Sequence, residues 1–250
     1  MTSLASLRQA LRSGTASVGT WLQVPNADVA EIMSRAGYKW AAIDLEHGAF
    51  TRAQLPDICR ALELGGTLPF ARVADCTITS IKGALDSGAV GLIFPMIETR
   101  AQLDAAIDLA LYPPHGIRGV GYCRANLFGK EIERGITDNA ETFFCAQIEH
   151  VRALDNLADI FAHPRLDAVM VGPYDLSGSM GITGQFDHPD FTAALRAIHA
   201  AARQAGIPMG LHVVQPDVSA LRAKVAEGYT FIAYGIDGVF LYNAAQCPAI

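Results

Sequence analysis

The sequence predicts an α/β protein of the (β/α)8 TIM-barrel type. Its 250 residues are 51% hydrophobic, which is enough for one large core. Eight strand-like segments alternate with helical patterns, and their near-continuous apolar character is typical of parallel strands buried on both faces. This alternation favours a closed barrel over an open sheet in a chain of this length. No linker or change of composition divides residues 1–250, so a single domain is expected.

Each predicted element follows from the local sequence. A helix is expected near residues 3–12, before the first strand. Gly37 and the pair Gly65-Gly66 end two helical patterns, and Thr99-Arg-Ala-Gln begins another with the spacing of a capping box. The predicted strands are residues 17–24, 40–45, 68–73, 91–97, 143–148, 168–172, 208–214 and 231–235.

One connection is long: residues 111–142 lie between the fourth and fifth predicted strands. Long loops inside compact domains are usually functional, so this one is expected on the catalytic face of the barrel. The alternative is an insertion that packs against a neighbouring subunit. The two interpretations are compatible.

Charge and composition exclude several classes of partner. The formal net charge of −6 and the pI near 5.6 argue against nucleic acid and against an anionic membrane surface. The sequence has no apolar run of about 18 residues and no signal-peptide core near its start, so a cytoplasmic, soluble protein is expected. The five cysteines lie apart without a C-x-x-C pair, which disfavours a disulfide framework and a zinc cluster.

Two acidic segments at strand ends are the strongest functional signal. Gln147-Ile-Glu149 ends the fifth strand, and Gly172-Pro-Tyr-Asp175 follows the sixth. Gln147 and Glu149 share one face because side chains alternate along a strand. Mg²⁺ and Mn²⁺ take one or two carboxylates from a protein and fill their other positions with water and substrate oxygens. Glu149 and Asp175 are therefore candidate metal ligands, and the alternative is that both are helix N-caps.

A histidine and an arginine end two earlier strands. His47 follows Asp44 and Glu46, where it can act as a general base near neutral pH; without such neighbours a histidine in a turn is usually a plain surface group. Arg72 lies within the apolar segment 68–73 and must meet an anion, which is either a structural aspartate or a substrate oxygen. Acid, base and cation therefore gather at the carboxyl ends of strands, where barrel enzymes place their chemistry.

The positions of the lysines argue against a Schiff-base mechanism. Lys39 precedes a strand, Lys82 and Lys224 fall in helical patterns, and Lys130 lies in the long connection. A Schiff-base mechanism needs a lysine inside or at the mouth of the barrel, so carbonyl chemistry here requires a metal as electrophile. A phosphorylated substrate is not expected, because no phosphate-binding loop motif occurs.

Several motifs occur in a fixed order: Gly19-Thr-Trp21, Asp44-Leu-Glu-His-Gly48, Pro69-Phe-Ala-Arg72, Phe94-Pro-Met-Ile97, Gly116-Ile-Arg-Gly-Val-Gly121, Gln147-Ile-Glu149 and Val171-Gly-Pro-Tyr-Asp-Leu-Ser177. Over essentially the whole chain, this ordered set resembles the class II pyruvate aldolases of the HpcH/HpaI type. That family includes 4-hydroxy-2-oxoheptanedioate aldolase and 2-dehydro-3-deoxyglucarate aldolase.

The resemblance implies a (β/α)8 barrel and a homo-oligomer, commonly a hexamer that exchanges its last helix. It implies that Mg²⁺, Mn²⁺ or Co²⁺ is held by Glu149 and Asp175. Gln147 and the backbone of Gly172 and Pro173 would line the substrate pocket.

The resemblance also implies catalytic roles for three residues. Arg72 would stabilise the enolate oxygen, and His47 would act through a water as the base, oriented by Asp86. The implied reaction is reversible cleavage of a 4-hydroxy-2-oxo acid to pyruvate or hydroxypyruvate and an aldehyde. Small molecules would be its only partners besides further copies of the chain.

The sequence departs from the better-known members at three places. The segment 122–129 replaces a stretch with small residues, Arg and Trp; Tyr174 stands where a small residue is common; and His212 alters the end of the seventh strand. These positions are expected to touch the aldehyde or the pocket entrance, and Trp21 is expected to line the same pocket.

Two other functions remain open on the sequence. A CoA-ester lyase of the citrate-lyase β-subunit type would share the barrel and the carboxylates, but it would need a basic channel that the sparse lysines do not suggest. A non-catalytic binding barrel would need no base such as His47.

Overall fold

The computed structural model describes residues 2–248 and contains a closed barrel of eight parallel strands. Each strand pairs with its neighbours in chain order, and the last strand pairs with the first. The predicted barrel is thereby confirmed. The strands are β1 Ser17–Leu22, β2 Trp40–Asp44, β3 Leu68–Arg72, β4 Gly91–Phe94, β5 Phe143–Ile148, β6 Ala168–Val171, β7 Met209–Val213 and β8 Phe231–Ile236.

Helices connect the strands on the outside of the barrel. They are α1 Leu4–Arg12, α2 Ala27–Arg35, α3 Leu55–Leu64, α4 Ile78–Ser87, α5 Arg100–Ala110, α6 Ile132–Asn139, α7 Leu157–Phe161, α8 Pro173–Ser179, α9 Pro189–Ala205, α10 Val218–Ala226 and α11 Asp237–Ala244, with 3-10 segments at Arg124–Gly129 and Val151–Asn156. Thr99 forms the predicted capping box with Gln102 at the start of α5, which satisfies backbone N–H groups there. None of the helices in residues 2–248 is long and apolar enough to cross a membrane.

An aromatic layer fills the amino-terminal half of the barrel interior. Trp40, Phe70, Phe143 and Phe231 are fully buried in this layer. The rings of Trp40 and Phe231 stack with centroids 4.1 Å apart, and those of Phe143 and Phe231 lie 5.3 Å apart. The barrel interior is therefore a packed core at this level.

The alternation of side chains along each strand determines what faces the barrel axis at the other end. On β2, Ile43 packs against the outer helices, whereas Trp40 and Ala42 face the interior. Asp44 continues this interior row, and it pairs in register with Arg72 of β3. The polar residues at the carboxyl ends of the strands therefore converge.

Residues 111–142 lie at the amino-terminal end of the barrel, so the prediction that they cover the catalytic face is wrong for a single chain. The segment begins where α5 has already returned the chain to that end, and it leads into β5. Arg124 within it binds Glu63 at the end of α3 and donates to the carbonyl of Ser87 at 3.2 Å. The physical reason is topological, because a helix-to-strand connection reaches the amino ends of parallel strands.

We expect Gly19→Ala to lower the free energy of unfolding by about 1–3 kcal/mol, because overpacking a filled core strains it. A Cβ at Gly19 would lie 2.2 Å from the ring of Trp40, which is fully buried and has no room to move. Urea unfolding measures the change. Gly121→Ala is the matched control, because a Cβ there meets nothing within 4 Å. Equal stability of the two variants would contradict this account.

Candidate active site

Arg72 and Asp44 form a buried ion pair at the carboxyl ends of β2 and β3. The guanidinium donates from Nε to Oδ1 at 3.0 Å and from Nη2 to Oδ2 at 2.7 Å, and the Gln23 amide donates to Oδ2 at 2.8 Å. Burial alone would raise the pKa of Asp44, but the hydrogen bonds and the charge of Arg72 outweigh it and hold the pKa low. The anion that Arg72 was predicted to need is therefore, within this chain, a structural aspartate.

Arg72 also contacts a second carboxylate and an aromatic ring. Its Nη1 lies 2.9 Å from Oε2 of Glu46, and its guanidinium lies 5.1 Å from the centroid of the Trp21 ring. Burial raises the pKa of Glu46, and Arg72 opposes that shift. Both Nη atoms and Nε of Arg72 are thus held by fixed partners, and the planar group is oriented before any ligand arrives.

Glu149 is a buried carboxylate, with only 1% of its surface exposed. One oxygen accepts the backbone N–H of Met96 at 2.7 Å, and the other accepts the side-chain amide of Gln147. Met96 holds a left-handed conformation with φ of 54°, which is strained for a residue with a side chain. A Cβ at Gly172 would lie 2.3 Å from the Glu149 carboxylate, so only glycine fits beside it.

Burial raises the pKa of Glu149 to about 7. The hydrogen bonds from Met96 and Gln147 oppose the shift, while the nearby charges of Glu46 and Asp175 add to it. The negative charges of Glu46 and Asp175 thus disfavour the charged form of Glu149. A bound cation would reverse this effect.

Glu149 and Asp175 are not helix N-caps, so that alternative interpretation is wrong. Glu149 is bonded to Met96 and Gln147, and the residue that caps the following 3-10 segment is His150. Asp175 lies in the first turn of α8, whose start has no side-chain cap. Neither carboxylate is therefore used to cap a helix.

The donor set fits a hard divalent cation. Residues 2–248 contain no cluster of three or more His, Cys, Asp or Glu side chains suited to a metal ion. Glu149 and Asp175 line one opening, and these two carboxylates are the candidate ligands. The side-chain oxygen of Gln147 is buried without a hydrogen-bond partner beside them. Mg²⁺ and Mn²⁺ accept such sites because water and substrate oxygens complete their coordination.

A cavity of about 220 Å³ opens over these residues at the barrel axis. Glu149 lines an adjoining opening that shares Tyr174 and Asp175 with the cavity. Tyr174 is 61% exposed and packs edge-on against Phe186. The predicted residues in the cavity wall are Trp21, His47, Arg72, Gln147, Gly172, Pro173, Tyr174, Asp175 and His212.

A family model described as HpcH/HpaI aldolase/citrate lyase matches residues 17–244. The chain belongs to this family. A hydroxypyruvate/pyruvate aldolase from Sagittula stellata is 34% identical over 95% of this chain and 94% of its own length. A 2-keto-3-deoxy-L-rhamnonate aldolase from Escherichia coli K12 is 33% identical over 95% of this chain and 89% of its own length. A crystal structure of a family protein from Burkholderia cenocepacia is similar with a TM-score of 0.89, 35% identity and coverage of 96% and 95%.

Among the residues that sequence reasoning assigned to the HpcH/HpaI site, Asp86 lies apart. It occupies the last turn of α4, where Arg118 donates to it at 2.6 Å and Arg52 lies 3.9 Å away. No hydrogen bond joins Asp86 to His47 within the described part of the chain. His47 itself lines the cavity, and its backbone N–H donates to Asp44 at 3.1 Å. The role predicted for Asp86 stays a prediction.

The lysines lie where the sequence placed them, away from the cavity. Lys39 precedes β2, Lys82 lies in α4 and Lys224 lies in α10, where it binds Glu227 at 2.9 Å. Lys130 follows a 3-10 segment at the amino-terminal end of the barrel. In residues 2–248 the cavity wall therefore contains no candidate for a Schiff base.

Sequence reasoning missed Asp237 among the residues that shape the site. Its two oxygens accept the backbone N–H groups of Gln23 and Val24, each at 2.9 Å, and fasten the loop after β1 to the end of β8. Burial raises the pKa of Asp237, and these N–H groups oppose the shift. The available signal was the acid in the turn of residues 235–238, where a phosphate-binding loop would have none.

We expect Glu149→Gln to stabilise the metal-free protein at pH 8 by about 1–3 kcal/mol, because it removes a buried charge. The pKa of about 7 lies above the ordinary value of 4.5. Between those two pH values the folded protein binds a proton that the unfolded chain has released, so stability from this group falls as pH rises and stays low above pH 7. Thermal unfolding of both proteins at pH 5 and pH 8 measures the effect.

The two proteins should differ more at pH 8 than at pH 5. A difference that does not change with pH would contradict the buried charge as its cause. Gln147 can turn its amide so that its unpartnered oxygen accepts from the new side chain, which keeps the substitution satisfied.

Proposed function

We propose that the protein is a divalent-metal-dependent aldolase that cleaves a 4-hydroxy-2-oxo acid, reversibly, to pyruvate or hydroxypyruvate and an aldehyde. The main support for this proposal is one cavity whose wall contains Asp175, Arg72 and His47. Glu149 lines the adjoining opening. The named activities of the relatives from Sagittula stellata and Escherichia coli support a carbon–carbon lyase.

Glu149 and Asp175 would hold the cation, which we propose to be Mg²⁺, Mn²⁺ or Co²⁺. When bound, it supplies a Lewis acid that polarises the C2 carbonyl of the substrate. Gln147 and the backbone of Gly172 and Pro173 line the wall beside these carboxylates and would shape the pocket for the 2-oxo acid.

His47 accepts, directly or through one water, the proton of the C4 hydroxyl, and the C3–C4 bond then breaks. Its electron pair moves into the enolate of pyruvate or hydroxypyruvate, and the former C4 leaves as an aldehyde carbonyl. Arg72 donates to the enolate oxygen from a guanidinium that Asp44 and Glu46 already orient. The proton that His47 accepted is then returned to C3, which gives pyruvate or hydroxypyruvate and restores the free base.

A panel of 4-hydroxy-2-oxo acids, each incubated with Mg²⁺ or Mn²⁺, tests the proposal through pyruvate release. A CoA-ester lyase would act on CoA esters and leave the panel untouched, and a binding protein would act on neither. The relatives at 33–34% identity are named aldolases, which favours the first outcome. Release from no member of the panel would contradict the proposal.

We further propose that the chain forms a homo-oligomer, and a hexamer by its resemblance to the family. Support comes from the segment 111–142, which exposes apolar side chains that include Ile117, Tyr122 and Phe128, at 67%, 77% and 66% exposure. Exposed apolar patches of this kind mark protein–protein contacts. Light scattering of the purified protein determines the number of copies, and a monomer would contradict the assignment.

We expect Arg72→Lys to lower kcat by about 10²-fold, because lysine keeps the charge but loses the planar group that donates to the enolate oxygen. Asp44 keeps a cationic partner, so most of the buried-pair stability should remain. Steady-state turnover and thermal unfolding on one preparation separate the two effects. Normal turnover with lowered thermal stability would show that Arg72 serves only the ion pair.

A further inference from the structure

His212 is a polar residue in the cavity wall, next to the aromatic ring of Trp21. It faces the barrel axis because it continues the interior row of β7, while Leu211 and Val213 pack outward. Its ring stacks on that of Trp21 with centroids 4.9 Å apart. The neighbouring wall residues include Trp21 of β1, Ile236 of β8 and Val214, which follows β7. The imidazole therefore contributes polar atoms to this side of the wall.

One hydrogen bond determines the tautomer of His212. Its Nε2 lies 3.0 Å from the carbonyl oxygen of Gly235, which can only accept, so Nε2 carries the proton. Burial lowers the pKa of His212 to about 4, and the Gly235 carbonyl opposes that shift. The ring is neutral at pH 7, and its Nδ1 is a hydrogen-bond acceptor.

A bulge in β8 positions the Gly235 carbonyl. Gly19 of β1 pairs with Ala233 and Trp21 with Ile236, so β8 contains one more residue than β1 between these pairs. Gly235 has φ of +67°, and a Cβ there would lie 2.1 Å from the ring of Phe240. Only glycine fits this position. The bulge thereby fixes the Gly235 carbonyl, and that carbonyl orients the imidazole of His212.

Nδ1 of His212 has no hydrogen-bond partner within residues 2–248. Nearby polar groups are committed elsewhere: the amide of Gln23 and the guanidinium of Arg72 both bind Asp44. An acceptor at an apolar cavity wall loses its hydration when a ligand enters, and the loss is offset only if the ligand brings a donor. The fitting donor beside a neutral imidazole is a hydroxyl group.

We propose that His212 is a specificity-determining residue that selects hydroxylated substrates by accepting a hydrogen bond from a substrate hydroxyl at Nδ1. This inference rests on the proposed aldolase function. The hydroxyl can come from two sources, the C3 position of the 2-oxo acid or the carbon next to the aldehyde group. Either source gives the same contact with the ring.

Two pairs of substrates that exchange a methyl for a hydroxyl group distinguish the sources. The donor pair is 2-oxobutyrate and hydroxypyruvate, compared by exchange of the C3 protons with solvent. The acceptor pair is propanal and glycolaldehyde, compared by kcat/KM for addition of pyruvate. Each is measured with Mn²⁺ on the wild-type enzyme, on His212→Leu and on His212→Asn.

We expect the wild-type enzyme to prefer the hydroxylated member of one pair, and His212→Leu to lower that preference about 3- to 10-fold. Both members of the pair lose some activity because the Leu side chain packs differently on Trp21, so the ratio is the readout. His212→Asn should recover part of the preference, because its amide oxygen can accept a hydrogen bond near the position of Nδ1.

An unchanged ratio in both pairs would overturn the proposal and assign His212 to packing against Trp21 alone. If His212→Leu does not fold, His212→Met tests the same loss with a more adaptable apolar side chain. A wild-type enzyme that is active with every substrate but shows no hydroxyl preference contradicts the role of His212 only. A wild-type enzyme that is inactive on the whole panel contradicts the aldolase function as well.

Discussion

We expect EDTA to abolish pyruvate release and Mn²⁺, Co²⁺ or Mg²⁺ to restore it. Glu149 and Asp175 are free of helix-capping bonds, and the charges of Glu46 and Asp175 add to the raised pKa of Glu149. A cation held by these carboxylates would relieve that repulsion and would provide the electrophile that no lysine in the cavity wall can supply. Glu149→Gln should abolish turnover and weaken metal binding while leaving the barrel folded.

Glu98→Gln is the matched control, because it makes the same chemical change at the carboxyl end of the neighbouring strand β4. The Glu98 carboxylate is committed to Arg152, with contacts of 2.5 and 2.6 Å. We expect this variant to bind metal and to turn over substrate. Titration calorimetry with Mn²⁺ and the pyruvate assay compare the two variants, and full activity of metal-stripped wild-type protein would eliminate the mechanism.

His47→Ala should lower aldol cleavage by about 10²- to 10⁴-fold, which is the range for loss of a general base. Metal and pyruvate binding should persist, because no contact joins the imidazole to Glu149 or Asp175 in the described residues. Exchange of the pyruvate methyl protons with solvent gives the sharper measurement, since it follows enolate formation without an aldehyde. Cleavage at the wild-type rate would place the base elsewhere.

The structure limits which group could act as the base in place of His47. It also bears on Asp86, the predicted partner of His47. His212 is a weak base, because burial lowers its pKa to about 4. Asp86 binds Arg118 within one chain, so Asp86→Asn impairs proton exchange only if an assembly of chains brings the carboxylate to His47. Arg118→Gln is the control, because it breaks the same pair but keeps the carboxylate.

The barrel was predictable because parallel strands that are buried on both faces consist of nearly continuous apolar residues. The meeting of Arg72 with an anion was predictable for the same reason, since a cation in an apolar strand must be paired. The identity of this anion, Asp44, depends on the register of β2 against β3. The apolar pattern does not encode that register.

Other parts of the site left weak signals in the sequence. The long segment 111–142 was misplaced because length alone does not tell which end of the barrel a connection occupies, whereas its position after α5 does. The bulge at Gly235 depends on one residue in excess between two paired strands, and a lone glycine in a strand predicts only that some irregularity occurs. The orientation of the His212 ring follows from that bulge, so it could not be predicted from the sequence.

The pairing of β8 with β1 has a consequence for how the chain folds during synthesis. Phe231 belongs to the last strand, yet its ring stacks on Trp40 of the second. The aromatic layer therefore stays open on one side until β8 has left the ribosome, and β1 meanwhile has an unpaired edge. Such late closure between distant segments slows folding and prolongs exposure of the interior to aggregation. A nascent chain that stalls before residue 231 lacks the last part of the wall.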